Sequence, residues 1–143
     1  MFSYKESEHI EWITEATSSG FPNLPIGIFF LRISPFLANK PSVISVSIKP
    51  GATTWTTLVT GPTSGVVVNL SICNENASDD TTYVAVVPNG ATRGSQHNIE
   101  GGTTVTAKTV IERTGIVLAS GDKIEVYSNS GHISFVAWGV DLG

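Results

Sequence analysis

Charge is what this sequence has least of. Asp, Glu, Lys and Arg together make up 14% of its 143 residues, against roughly a quarter in an average globular protein. Its eight basic residues are scattered and outnumbered by twelve acidic ones, for a net charge of −4. That balance argues against a nucleic-acid partner, which needs Lys and Arg gathered on one face. Between Pro41 and Asn74 the only charged residue is Lys49, so this surface depends on hydroxyls and amides for solubility and has little like-charge repulsion to keep neighbouring chains away. Cysteine is nearly absent too. Cys73 alone excludes an intrachain disulfide framework and a cysteine-rich zinc site; within its apolar run it reads as a small buried side chain. Long hydrophobic runs are also missing. The longest cluster, Leu24 to Ile33, is broken by Pro25 and Arg32 and falls short of the ~20 residues of a membrane-spanning helix, so no membrane insertion is expected. Glu6, Glu8, Glu11 and Glu15 precede that cluster, the wrong order for a secretory signal, and export by that route is not expected.

What is present from Ser42 onward is a period of two. Ile44, Val46 and Ile48 alternate with serines, the pattern of a half-buried strand ended by Pro50-Gly51. Thr54 to Thr60 is a β-branched run around Trp55 and Leu58. Val66 to Asn74 sets Val66, Val68, Leu70 and Ile72 on one face and Val67, Asn69, Ser71 and Cys73 on the other. The polar stretch Asn74 to Asp80 then reads as a turn that joins this strand to Thr82 to Pro88 in a long hairpin. Further strands are expected around His97 to Ile99, at Lys108 to Glu112, Gly115 to Ala119, Lys123 to Tyr127 and Ile133 to Val140, punctuated by Asn89-Gly90, Gly101-Gly102, Ser120-Gly121-Asp122 and Gly131. About eight short strands with turn signals every 8–12 residues and no long amphipathic helix predict an all-β, two-sheet antiparallel β-sandwich of jelly-roll type.

The first forty residues differ, and the chain divides into an N-terminal arm, 1–41, and a sandwich domain, 42–143. Ser3-Tyr4-Lys5-Glu6 has the spacing of a helix-capping box, but Ile10 to Ile13 fit neither period, so the arm is expected to be extended or partly helical. Pro22, Pro25, Pro35 and Pro41 punctuate a greasy segment. Trp12, Phe21, Phe29, Phe30, Leu31 and Phe36 are the candidate partner-binding residues of this arm, because apolar side chains of this density must pack against something.

Catalytic chemistry is hard to find. His9, His97 and His132 lack the spacing of a helical zinc motif. His97 near Glu100 is the best acid/base or metal pair on paper, and it reads more simply as a hydrogen-bonded strand-end histidine. Asp79 and Asp80 resemble a calcium ligand pair, but the other oxygen ligands of a calcium loop are absent, so a solvated turn is expected. Arg93-Gly94-Ser95 is a loop and not a phosphate cradle. Asn69-Leu-Ser71 and Asn76-Ala-Ser78 match a glycosylation pattern, the first inside a core strand. No nucleophile elbow, phosphate loop or dinucleotide fingerprint is present. The expectation is a protein that is not an enzyme and has no catalytic, cofactor-binding or metal-binding residues.

The stretch VVVNLSICNENASDDTTYVAVVPNG, followed by VIERTGIVLASGDKIEVYSNSGHISFVAWGV, resembles a small β-sandwich module of tailed-bacteriophage virion proteins, over Ser64 to the C-terminus. Its Gly-Asp-x-Ile-x-Val element also resembles that of trimeric jelly rolls of the tumour-necrosis-factor and C1q type. In physical terms Gly121 permits a reversal, Asp122 bonds the turn's backbone, and Ile124 and Val126 re-enter the core. The resemblance implies a structural subunit of a phage virion, without cofactors, whose partners are other capsid or tail subunits and copies of itself, a trimer by preference. It implies a capsid decoration or cement protein docked through its arm, or else a tail, neck or fibre component contributing to host attachment. A carbohydrate-binding β-sandwich is the alternative from another class: Trp55 and Trp138 would stack on sugars if exposed, although Trp138, alternating within a strand, fits a core or interface position better.

Overall fold

In the computed structural model, residues 40–143 are described. The arm residues Trp12, Phe21, Phe29, Phe30, Leu31 and Phe36, the capping-box motif and His9 lie outside the described residues.

Eight strands follow one another: β1 (Ser42–Ile48), β2 (Thr56–Thr60), β3 (Val66–Asn74), β4 (Asp80–Val87), β5 (Asn98–Val105), β6 (Val110–Leu118), β7 (Lys123–Ser128) and β8 (Ile133–Asp141), with a single 3-10 turn at Ser95–His97. They form two four-stranded sheets of order β1-β8-β3-β6 and β2-β7-β4-β5, and every ladder is antiparallel. This is the jelly-roll order, and the predicted fold class holds. Alternation drives it: Val66, Val68, Leu70 and Ile72 of β3 are fully buried, and they meet Val84 of β4, Ile124 and Val126 of β7, and Ile133, Phe135 and Ala137 of β8 in one core.

The expected hairpin of β3 with β4 is not there. β3 pairs with β6 and β8, while β4 pairs with β5 and β7; the two strands stand in opposite sheets and face each other across the core. Both bury their inner residues in the shared core, so burial alone does not tell a hairpin from a crossing between sheets; the pairing does. Asn74 to Asp80 is therefore a corner between layers. Its ends are buried polar pins. The Asn74 amide donates to the carbonyl oxygens of Ser78 and Val105, both at 2.9 Å, and its oxygen accepts from the Asn76 N–H. Asp80, expected to be solvated, is 3% exposed. Its carboxylate accepts from the Ser128 hydroxyl at 2.5 Å and from the N–H groups of Thr81, Ser130 and His132, fastening the segment by which the chain passes from β7 to β8. Burial alone would raise its pKa, but the Ser128 hydroxyl and then the Ser130, His132 and Thr81 amides outweigh it and hold the carboxyl below its ordinary value.

Gly102, expected to lie in a break between strands, sits inside β5, and Gly115, expected to open a separate strand, sits inside β6, which joins the two strands expected at Lys108 to Glu112 and Gly115 to Ala119. Gly102, φ +85°, lies in a bulge of β5 and Gly115, φ +70°, in a bulge of β6, positive values that glycine adopts without strain. The Asn69 side chain accepts the freed Gly115 N–H at 3.1 Å. Leu58 of β2 and Ile99 of β5 are likewise extra residues against their partners. All four bulges fall on outermost strands; β1 alone among the outermost strands keeps unbroken register, Ser42 to Ile48 against β8. The Gly121-Asp122 element behaves as read: Gly121 has φ +81°, Asp122 accepts the Asn89 and Ala119 N–H groups, and Ile124 and Val126 are buried.

Candidate functional site

The outward faces of the two sheets have different chemistry, and register explains how each is assembled. Across the first sheet, Val43 pairs with Val140, Val140 with Val67, and Val67 with Val117. Four strands thus contribute one valine each to a single row on the outer surface. Val43 is 86% and Val117 64% exposed. Trp138, one row on, lies between Ser45 and Asn69; it is exposed, so of the two positions expected for it the core is not the one it occupies. Cys73, expected to be buried, is half-buried on this same outer face, because β3 alternates and its inner positions belong to Ile72 and Asn74.

On the second sheet Tyr83 of β4 stands directly opposite Tyr127 of β7, both facing outward, and Tyr83 stands opposite Gly101 of β5. The glycines give the ring its room: a Cβ at Gly102 would come 3.1 Å from the Tyr83 hydroxyl. Trp55, just before β2, completes a cluster of three rings. Its centroid lies 5.4 Å from Tyr127 and 6.0 Å from Tyr83, and the two tyrosines meet edge to face at 5.5 Å, each contact contributing about 0.5–1.5 kcal/mol beyond its buried area. The Arg93 guanidinium sits over the Trp55 ring, 3.9 Å from its centroid, and donates to Glu125 at 2.7 Å. Glu125 is outward-facing on β7, opposite the small Ala85.

A cavity of about 350 Å³ opens here, lined by the three rings together with Arg93, Gly94, Ser95 and Asn98. It lies within the usual size range of small-ligand pockets, roughly 300–1,000 Å³. Among the described residues the Tyr83 and Tyr127 hydroxyls, the Ser95 hydroxyl and the Asn98 amide have no hydrogen-bond partner, so unengaged polar groups surround an aromatic wall.

The sequence singled out Trp55 and saw Arg93 only as part of a loop; Tyr83, Tyr127, Asn98 and Glu125 were missed. One signal was available: Tyr83, Tyr127 and Glu125 all stand at outward positions of alternating strands, which marks them as surface side chains and leaves only their pairing undetermined. The other candidates disperse. His97 does not pair with Glu100; its Nδ1 accepts the Gly94 N–H at 3.2 Å, the hydrogen-bonded reading made above. Glu100 is buried, accepts the Thr103 hydroxyl at 2.5 Å and pairs with Arg113 across the open side of the sandwich. Asp79 accepts the Ala107 N–H at 2.8 Å. No group of three or more His, Cys, Asp or Glu side chains able to hold a metal occurs among the described residues, nor any helix there long and apolar enough to cross a membrane.

No family model and no curated protein matches the sequence. Among solved structures, the chain is similar to one in the crystal structure of the T13 particle of infectious bursal disease virus, at 12% identity and TM-score 0.43, covering 71% of this chain and 31% of that one. A chain of the same virus, Gx strain, is similar at 11% identity and TM-score 0.32, with 71% and 30% covered. This chain thus spans about a third of the length of either. Both likenesses are distant; the jelly-roll assignment rests on the strand register itself.

Proposed function

We propose that this chain is a non-enzymatic structural subunit of a tailed-bacteriophage virion, a capsid decoration or cement protein that docks on the particle through its arm, residues 1–41. Double-sheet jelly rolls build viral shells and lectins alike, so the surface has to decide. The observation that carries the reading is the valine row on the first sheet. Val43, Val140, Val67 and Val117 form an uncharged aliphatic band across all four strands, on a chain with little charge to repel a neighbour. A band of this kind gains about 25 cal/mol for each Å² it buries, and repetition over a lattice makes weak contacts sufficient. The sequence resemblance over Ser64 to the C-terminus supports the same reading, and a homotrimer is the assembly it favours.

The second reading is a tail, neck or fibre component that helps to contact the host. The observation in its favour is the aromatic cavity on the opposite sheet, which a purely architectural block has no need of.

Quantitative mass spectrometry of purified particles separates the two. Decoration requires on the order of hundreds of copies per particle, whereas a tail or fibre role requires about a dozen or fewer, the copy numbers set by shell and axial symmetry respectively. Deleting Met1 to Lys40 is expected to abolish docking on undecorated particles while the sandwich still folds; a truncated chain that still decorates them removes the arm from the account.

A further inference from the structure

We infer that the aromatic cavity on the outer face of the second sheet is a binding site for a neutral hexopyranose, the terminal or internal sugar of a glycan. The inference stands on the geometry of residues 55 to 127 and holds wherever in a particle the chain sits.

Three features select the ligand class. The wall is formed by Trp55, Tyr83 and Tyr127, whose ring centroids lie 5.4 to 6.0 Å apart at mutual tilts of 42° to 83°; they make a faceted aromatic wall, with Arg93 over Trp55, on which the tyrosine rings offer apolar area to the C–H face of a pyranose. The rim holds hydrogen-bonding groups that have no partner among the described residues: the Ser95 hydroxyl, the Asn98 amide and the tyrosine hydroxyls. A molecule with an apolar face and a hydroxylated edge satisfies both at once; a purely aliphatic ligand would leave the rim groups desolvated and unpaired.

Charge then narrows the choice. The only ionised side chain in the lining is Arg93, and Glu125 neutralises it at 2.7 Å. A carboxylated or sulfated ligand would have to displace Glu125 from Arg93, and a cation would meet the guanidinium already seated on Trp55 at 3.9 Å. An uncharged polyol meets neither obstacle. The site is also largely formed in advance. Tyr83 is seated against Gly102, Tyr127 is set opposite it by strand register, and the Arg93 stack fixes Trp55, so little side-chain freedom remains to be lost on binding.

The test uses the full chain. Saturation-transfer NMR with methyl α-glucoside, methyl β-galactoside, lactose and maltose is run beside an array carrying neutral, sialylated and sulfated glycans, with titration calorimetry on the best hit. The expected result is binding of at least one neutral saccharide. On the wild-type affinity, Tyr127→Ala should then cost up to about tenfold and Asn98→Ala several-fold, the scale of one aromatic contact or one hydrogen bond. Tyr127→Phe, which keeps the ring and the fold, should lose only a few-fold, and melting curves confirm that each variant is folded. Silence from every neutral saccharide in both assays overturns the inference. So does a preference for anionic glycans, or neutral-sugar binding that folded Tyr127→Ala and Asn98→Ala chains retain in full. Particle copy number does not enter any of these readings, so the virion proposal and the sugar site fail separately.

Discussion

The two sheets of this sandwich share one core and differ almost completely on their outer faces. Each carries a single row of side chains across its strands: Val43, Val140, Val67 and Val117 on one, Trp55, Tyr127 and Tyr83 ending at Gly101 on the other. The valine row is aliphatic and solvent-exposed, with no hydrogen-bonding group of its own, so it offers area without direction. The aromatic row is bordered by Arg93, Ser95 and Asn98, so it offers area with oriented hydrogen-bonding groups. A jelly roll needs its inner faces for stability and leaves both outer faces open to specialisation. On the readings proposed above, one face meets protein neighbours and the other a small polar molecule.

That contrast predicts that substitutions in the shared frame unfold the protein, whereas substitutions on either outer face leave it folded and remove one contact. The largest effect is expected at Asp80. Asp80→Ala strands one hydroxyl and three amide N–H groups, and urea unfolding should show a loss of about 3–5 kcal/mol, since each orphaned buried donor costs roughly 1–3. The same site sets a pH dependence. Its carboxyl lies below the ordinary value of 3.8 when folded, so its stabilisation is complete above that value and disappears as pH falls through the lower, folded one. The difference in stability between wild type and Asp80→Asn should therefore be constant from about pH 7 to pH 5 and shrink below about pH 4; a gap that widens in acid contradicts the assignment.

Next comes Gly139 on β8. A Cβ there would lie 1.9 Å from the Val67 carbonyl oxygen, and since backbone cannot swing aside, Gly139→Ala should cost about 2–3 kcal/mol by overpacking, read from the urea midpoint. Smaller again are Tyr127→Ala, expected to cost about 1–3 kcal/mol through its two ring contacts, and Val117→Lys, expected to cost below about 1 kcal/mol; these two sharpen the comparison most. Val117→Lys should weaken self-association or particle docking in sedimentation while sugar binding is kept; Tyr127→Ala should do the reverse. If either variant loses both functions with its fold intact, the two faces are not independent.

The sequence was informative where one strand's own alternation suffices. The bounds of β3, its inner residues Val66, Val68, Leu70 and Ile72, and the return of Ile124 and Val126 to the core all follow from period two. It was uninformative about which strands pair. Asn74 to Asp80 has the composition of a hairpin tip, and nothing local distinguishes a reversal within a sheet from a corner between sheets; the distinction lies in Val105, Ser128 and Ser130, which bond to Asn74 and Asp80 from 31 to 50 positions away. The aromatic site was hidden for the same reason. Trp55, Tyr83 and Tyr127 are brought together only by the order β2-β7-β4, in which no two neighbours are consecutive in the chain. Gly102 and Gly115 misled in the opposite sense, because a glycine that allows a bulge inside a strand and a glycine that bounds one look alike in one dimension.

The placement of the bulges limits how copies of this molecule can accumulate. Among the described residues, backbone irregularities interrupt β2, β5 and β6 and spare β1. Three of the four outermost strands are thereby poor templates for an added strand, which disfavours edge-to-edge growth through them.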